Sequence, residues 1–360
     1  MHKVKVFLTG GDGIGWAVDE DLRLTAEALE PTVDLTDLDN CDVVHSVWWE
    51  GLMLLPQEKL KGKRIVCAVP GEPFRYFTVP AHQKALDMVG HWMTHTSQAQ
   101  KEMKGLGIDT TVVQYLIDVN TFKRLPTDDP QVLALKAQWG LPSDMYLIGS
   151  FQRDTEGADL RTPKLVKGPD VFVEVLRIVQ RRGLRFHVVL AGPRRHWMIR
   201  TLTDLGVPFT YVGRAVDEDD LETNSLPRST LNLLYNLLNL YVVASRSEGG
   251  PHAILEAASA KCKVISSRVG MAEDVLQPAC IFRCAPDAAD LIERDITANM
   301  LGNSVSAHFE RVIQNHRPES VTPLFEEFYQ HVESVPTYMG EQTPASGPVM
   351  LENKPAEPAR

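Results

Sequence analysis

From residue 4 to residue 283, short apolar or β-branched runs alternate with segments of helical period. The alternation comes in two series. The first has strand-like runs at 4–8, 42–48, 64–69 and 111–116, with a helix-period segment at 16–30 after the first of them. The second has strand-like runs at 145–149, 186–191, 209–212, 240–244, 264–267 and 281–283. Helical segments at 169–182, 195–205, 229–238, 252–260 and 287–300 lie between them. Strands separated by helices are joined by crossovers, which makes neighbouring strands parallel and covers both faces of the sheet. The chain is therefore expected to be α/β, with two doubly wound Rossmann-like domains facing each other across a cleft. Ligands of such sheets bind beyond the carboxyl ends of the strands.

The boundaries follow from composition. Residues 1–122 read as the N-terminal domain and 123–144, rich in Pro and Asp with one short helix at 131–138, as the interdomain hinge. Residues 145–320 read as the C-terminal domain. A last amphipathic helix is expected at 321–335, with Thr322 as N-cap and Pro323 at its first position. Residues 336–360 hold five prolines and little apolar content, the composition of a disordered tail.

The 360 residues carry a formal charge of −10, which argues against nucleic acid as a partner but allows a local basic pocket. No apolar run reaches the roughly 18 residues of a membrane helix. Peripheral membrane association stays open. The N-terminus has no signal-like apolar region, and the five cysteines, odd in number and mostly beside apolar runs, read as reduced. A cytoplasmic location is expected.

The strongest local signal is the segment 245–258, SRSEGGPHAILEAA. It leaves a buried strand and opens a helix at Pro251. Gly249 and Gly250 let backbone approach a ligand, and the amides of His252, Ala253 and Ile254 would offer an anion site at the helix start. Glu248 and Glu256 make sense there as acceptors for sugar hydroxyls. A plain strand–helix turn explains the same residues without a ligand. The loop Gly10–Gly15 begins like a dinucleotide fingerprint, but read from Gly11 its third glycine position is Trp16, so the fingerprint fails. Trp48 and Trp49 end a strand, where an aromatic face could stack on a sugar, although a core pair is the commoner outcome.

The 245–258 segment resembles the Glu-x7-Glu signature of retaining nucleotide-sugar glycosyltransferases of family 4, which have the GT-B fold. Other segments resemble the family in the same order. Arg153, followed by Lys167 and Gly168, is similar to its donor-phosphate pair. Residues 189–192 and 212–214 resemble its successive strands, 234–235 and 241–247 its approach to the Glu motif, and 266–273 the strand–turn after it. Residues 96–101 and 115–118 with Phe122 resemble its exit from the N-terminal domain. The resemblance covers most of residues 90–280 and weakens before them.

It implies a retaining transfer of sugar from a nucleoside diphosphate sugar to an unidentified acceptor hydroxyl on a glycan, glycolipid or small molecule. Arg153 and Lys167 would neutralise the diphosphate, Gly213 and Arg214 would lie against the base, and Glu256 would hold the ribose. Glu248 would hold the transferred sugar. Gly11, Gly13, Trp48 and Glu72 would face the acceptor side. The amides of the Gly10–Gly15 loop would face phosphate or acceptor.

Two departures stand out. The loop 154–166 is long, so Arg161 or Lys164 could replace a cation. Where many members carry a His after the strand Arg64–Val69, this chain has Pro70-Gly71-Glu72-Pro73. His91 and His95 are nearby, between apolar residues. That departure keeps a non-catalytic nucleotide- or glycan-binding protein, or a sugar-nucleotide epimerase or hydrolase, as alternatives. Asp37 and Asp39 form a D-x-D string before a strand, the wrong end for a metal site, and Cys280 and Cys284 lack a second pair for zinc. No cofactor and no metal are expected.

Overall fold

The computed structural model describes residues 3–15, 17–69, 71–73, 77, 79, 82–156 and 159–340. Twelve strands form two parallel six-stranded sheets among these residues. The first sheet holds β1 (Lys5–Thr9), β2 (Asp34–Leu35), β3 (Val43–Ser46), β4 (Arg64–Val69), β5 (His91–Thr94) and β6 (Thr110–Val112), in the order β2-β1-β3-β4-β5-β6. The second holds β7 (Tyr146–Ser150), β8 (Phe186–Ala191), β9 (Phe209–Val212), β10 (Leu240–Val243), β11 (Val264–Ser267) and β12 (Ile281–Phe282), in the order β12-β11-β10-β7-β8-β9. Two α/β domains are thus present, as the alternation implies. Strands β2 and β5 were not foreseen. Both are short, and His91 at the start of β5 interrupts its apolar pattern.

The strand order positions the site. In the second sheet the chain runs outward from β7 through β8 to β9, then returns to lay β10 against the other side of β7. The loops after β7 and β10 therefore part in opposite directions and leave a crevice. In the first sheet the same reversal falls between β1 and β3. Strand β10 is buried along its whole length because helices cover both faces, which is why its sequence does not alternate.

The helices that matter for the site are α1 (Ala17–Leu29), α2 (Pro169–Arg181), α3 (His196–Asp204), α4 (Arg228–Leu237), α5 (His252–Ser259) and α6 (Pro318–Gln330). Helix α2 buries Phe172, Leu176 and Val179, spaced three or four residues apart on one face. Each contributes about 1.5–3 kcal/mol of burial. Its Pro169 sits at the first helical position, and Gly168 before it takes φ +62°.

The structure corrects three boundaries. Tyr115, Ile117 and Phe122 already pack in the second core, whereas Val113 and Leu116 belong to the first. The chain therefore changes domains near 113–117. The expected hinge at 123–144 is part of the second domain: Lys123 and Leu125 donate backbone N–H to Asn232 and Asn236 of α4. A helix at Pro130–Gln138, capped by Asp129, buries Val132 and Leu135. Pro and Asp there mark a cap and a first helical position.

The last helix begins at Pro318, with Pro323 inside it and Thr322 bonded sideways to the Ala28 carbonyl. Pro318, at the first position, sets the start just after the return crossing, where Ile117 donates to His316 and the His316 ring bonds the Tyr115 carbonyl. Helix α6 buries Val321, Phe325 and Tyr329 in the first core, and Tyr329 Oη lies 2.9 Å from the buried His45. Burial lowers the His45 pKa to about 3, so it is a neutral partner.

The first residues of the expected tail are held against the first domain. Tyr338 exchanges backbone hydrogen bonds with Gly62 and Lys63, and Thr337 bridges to Arg64. The remainder of that tail, 341–360, lies outside the described residues. No described helix is long and apolar enough to cross a membrane. Four of the five free cysteines are buried; Cys284 is exposed.

Candidate functional site

Three loops meet at the β7–β10 crevice. The loop after β7 carries Gln152 and Arg153. It is pinned from beneath by Asp154, whose carboxylate accepts from Thr155 Oγ1 and the Met198 amide of α3 and faces the buried Arg195 guanidinium at 3.0 Å. The turn before α2 carries Lys167, and the loop after β10 is zipped to it by N–H donation from Arg246 and Ser247 to the Val166 carbonyl. Close approach here requires Gly168: a Cβ on it would lie 1.8 Å from the Ala244 carbonyl oxygen. The long loop 154–166 folds back on itself through a bridge between Thr155 and Pro163. Lys164 pairs with Glu156 and Arg161 is exposed, so neither replaces Arg153 or Lys167 in the crevice.

Glu248 is the centre of the resulting network. Its carboxylate receives Lys167 Nζ at 2.7 and 2.8 Å, Ser245 Oγ at 2.7 Å and Gln152 Nε2 at 3.1 Å. Its side chain is 8% exposed and that of Lys167 26%. This is a carboxylate held rigidly by three donors, one of them charged. The Arg153 pKa is lowered, first by burial and then by the nearby Arg194, while Asp12, Glu156 and Glu248 counter the shift.

Two cavities open on this network. One, of about 260 Å³, is lined by Arg153, Lys167, Arg228, Tyr235 and Glu256 on the second domain and by Gly15 and Ala17 on the first. The other, of about 280 Å³, is lined by Glu248, Gly249, Gly250 and Pro251 with Val18, Asp21 and Tyr115. Gln152, Lys167, His252 and Ala253 face both. Glu256, one turn into α5, accepts from Tyr235 Oη at 2.8 Å. Its pKa is raised by burial, against lowering by Tyr235, His252 and Arg228. The helix opens with His252 and Ala253 at the cavity, but the Ile254 amide donates to the Pro251 carbonyl and is not available to a ligand.

The first domain closes on this face. His252 Nε2 lies 3.2 Å from Asp21, and Arg228 lies 3.4 Å from Glu20. Burial opposes a charged His252, yet the Asp21 and Glu256 carboxylates together outweigh it and raise the pKa. Ser97 bonds Asp274 across the same cleft. His95, half-buried just after β5, bonds the Val113 carbonyl and lies 4.2 Å from Tyr115 between ring centroids. His91 bonds Thr111. Both are structural in these contacts.

The loop after β1 departs from expectation. The Asp19 carboxylate accepts from the Gly13 amide at 3.1 Å and from the Gly15 amide at 2.5 Å, and the Ile14 amide donates to Asp12. These amides face the chain's own carboxylates. Gly10 is wedged against Ser46 and Trp48, and Gly11 against Asp19. Trp49 is buried, and Trp48 is half-buried edge-on to it. Glu72 is half-buried. Gly11, Gly13, Trp48 and Glu72 are not among the residues lining either cavity. Gly213 packs on the Tyr211 ring, and Arg214 is exposed with its backbone clamped by Asn224, also outside the cavity linings. Asp37 is taken by a turn at Asn40 and Asp39 by Lys59.

Residues 160–297 match the family model described as Glycosyl transferases group 1. That span contains Lys167, Arg228, Glu248 and Glu256. Over that span the second domain is similar to group 1 glycosyltransferases. Solved structures extend the likeness to both domains. HepE from Anabaena, crystallised with UDP and glucose, superposes with a TM-score of 0.68 at 14% identity, over 91% of this chain and 100% of that one. A glycosyltransferase from Rickettsia africae gives 0.66 at 13%, over 93% and 100%. Sucrose-phosphate synthase from Thermosynechococcus elongatus gives 0.62 at 14%, over 87% and 78%. At these identities the likeness establishes the fold, which is GT-B. No curated protein matches the chain.

Asp21, Gln152 and Arg228 were missed by the sequence reading. Asp21 and Gln152 lie within or beside segments already singled out. Arg228 had a local signal, a cation just after a proline at a helix start, but nothing in the sequence said which way that helix end points.

Proposed function

We propose that the protein is a retaining glycosyltransferase that moves a sugar from a nucleoside diphosphate sugar to an acceptor hydroxyl. The observation that carries this reading is the Glu248 network, with Lys167 and Arg153 beside it, at a cavity between the carboxyl ends of two parallel sheets. Bond breaking leaves a nucleoside diphosphate with growing negative charge. Fixed cations and the start of α5 are suited to stabilise that charge without reorganising. Arg153, Lys167 and the His252 and Ala253 amides take this role, and Glu256 takes the ribose. Gly213 and Arg214 remain our assignment for the base edge, reached by local movement. Binding of UDP by HepE, which shares the fold, supports a nucleotide donor.

Retention through a covalent intermediate needs a nucleophilic carboxylate at the anomeric carbon. Glu248 is committed to Lys167, Ser245 and Gln152, a geometry that suits holding a sugar hydroxyl better than attacking carbon. We therefore assign a same-face route, in which the leaving phosphate accepts the acceptor's proton. The five unpaired cysteines support a reducing, cytoplasmic setting.

The test is turnover with a panel of nucleotide sugars, product configuration being read by NMR. Retention is expected. Glu248→Gln is expected to lower kcat by about 10²-fold or more while leaving residual transfer. An inverted product, or a trapped glycosyl–Glu248 adduct, would overturn the mechanism. Binding of nucleotide sugar with no turnover would favour a non-catalytic protein.

A further inference from the structure

Arg228 is the first residue of α4, directly after Pro227. Its side chain lines the cavity of about 260 Å³ and has carboxylates on two sides. Nη1 lies 3.9 Å from Glu256 Oε1 and 3.4 Å from Glu20 of α1. Glu20 is already held by Arg23 through two hydrogen bonds. Arg228 is therefore a loosely held cation beside Glu256, 29% exposed to the cavity.

Glu256 needs such a neighbour. Its Oε2 is taken by Tyr235 Oη, which leaves Oε1 and a remaining lone pair of Oε2 toward the cavity. An ionised carboxylate accepts from two adjacent hydroxyls at once. A protonated carboxyl spends one oxygen as a donor and cannot receive both. The groups facing Glu256 are Tyr235 and Arg228 on α4, His252 on its own helix with Asp21 behind it, and Glu20 on α1. Arg228 and His252 favour the anion, and Glu20 opposes it.

We infer that Arg228 is a specificity-determining positioning residue: it keeps the Glu256 carboxylate ionised and facing the cavity, so that the site selects a nucleotide whose ribose carries both hydroxyls. The inference rests on the donor-site reading above and deepens it. Loss of Arg228 removes a positive charge while Glu20 stays, so Glu256 takes up its proton at a higher pH. Removing the Glu20 charge acts in the opposite direction.

The experiment is calorimetric binding of uridine, guanosine and adenosine diphosphates, each beside its 2′-deoxy form. The proteins are the wild type, Arg228→Met, Arg228→Lys and Glu20→Gln, titrated between about pH 5.5 and 8. For the wild type near neutral pH, the bound nucleotide is expected to be preferred over its 2′-deoxy form by about tenfold or more, because a built hydrogen-bonding site rejects the ligand that leaves it unpaired. In Arg228→Met that ratio is expected to fall to about threefold or less, and the pH below which binding fades to move up. Arg228→Lys is expected to restore both, and Glu20→Gln to move that pH down. The donor KM should rise in Arg228→Met with kcat less affected.

An unchanged ratio and pH profile in a folded Arg228→Met would overturn the inference while leaving the donor site intact. If Arg228→Met does not fold, Arg228→Lys and Glu20→Gln decide: a wild-type pH profile in Glu20→Gln, or lost discrimination in Arg228→Lys, would equally overturn it. Failure of the wild type to bind any of the diphosphates would instead overturn the donor-site reading.

Discussion

Replacing Arg195 with Met tests the foundation of the site. Arg195 and Asp154 are 1% and 3% exposed at the side chain, and they meet at 3.0 Å without hydrogen-bond alignment, so their attraction is mainly that of charge. Burial raises the Asp154 pKa, and Arg195 is the largest influence holding it down. In Arg195→Met the carboxylate keeps Thr155 and the Met198 amide but loses its counter-charge. Breaking a buried pair in this way costs about 3–5 kcal/mol. Protonation sets a ceiling. Neutralising a carboxyl of ordinary pKa near 3.9 costs about 4 kcal/mol at pH 7 and about 1.5 at pH 5. The expected loss at pH 7 is thus ~3–4 kcal/mol, an apparent Tm lower by about 6–16 °C for a domain of this size. The sign with pH follows. The folded variant binds more protons than its unfolded chain, so the deficit grows as pH rises and shrinks to about 1.5 kcal/mol at pH 5. Urea unfolding at both pH values, monitored by tryptophan fluorescence, measures this. Arg195→Met/Asp154→Asn should recover most of the loss at pH 7. A deficit independent of pH, or one below ~1 kcal/mol at pH 7, would refute the buried-charge argument.

Other outcomes are expected. Gly168→Ala should destabilise the second domain by about 3 kcal/mol or more and abolish activity, since its Cβ would press on the Ala244 carbonyl at a left-handed φ; a thermal melt checks it. The His252–Asp21 contribution is complete below the ordinary His pKa of about 6.5 and fades as pH rises through the raised folded value. Asp21→Asn should abolish that fading in denaturant titrations. Truncation after Val335 should lower Tm by a few degrees, because it removes the Tyr338 contacts with Gly62 and Lys63. Activity should survive EDTA, since Arg153 and Lys167 supply fixed positive charge; loss restored by Mn²⁺ would overturn this.

The parts of the fold that were legible in the sequence are those with strong local periodicity. Helix α2, with Phe172, Leu176 and Val179 on one face and Pro169 at its start, differs from its expected span by one residue. Strand β10 and the turn into α5 were equally plain. Chain-level topology was less so. Nothing local in Tyr115 or Phe122 says that they pack on the second core, and Pro323 reads as a helix start because Pro318 five residues earlier has the same signature. At the site, Glu248 and Lys167 are brought together by two loops 81 residues apart, and only the resemblance joined them beforehand. The Gly10–Gly15 loop misled for a definite reason. Glycine spacing reports that backbone amides are free to converge, and says nothing about whether a nearby carboxylate such as Asp19 already fills them.

That filled loop belongs to a wider pattern, which explains how a chain of charge −10 can keep a cationic cavity. Among the described residues, three second-domain cations at the cleft lie near carboxylates of the first domain. Arg228 meets Glu20, His252 meets Asp21, and Arg153 feels Asp12. Lys167 differs, being neutralised within its own domain by Glu248. A nucleoside diphosphate of the proposed class would therefore meet cations that already have partners. Its affinity would be the difference between two sets of ion pairs, smaller than the sum of its own contacts. The pairs on α1 cross between the domains and would break if the domains parted, whereas Lys167–Glu248 lies within the second domain. Opening the cleft would strengthen the cavity's pull on phosphate without loosening the residue that holds the sugar, and closing over bound diphosphate would have to accommodate Glu20 and Asp21 beside it.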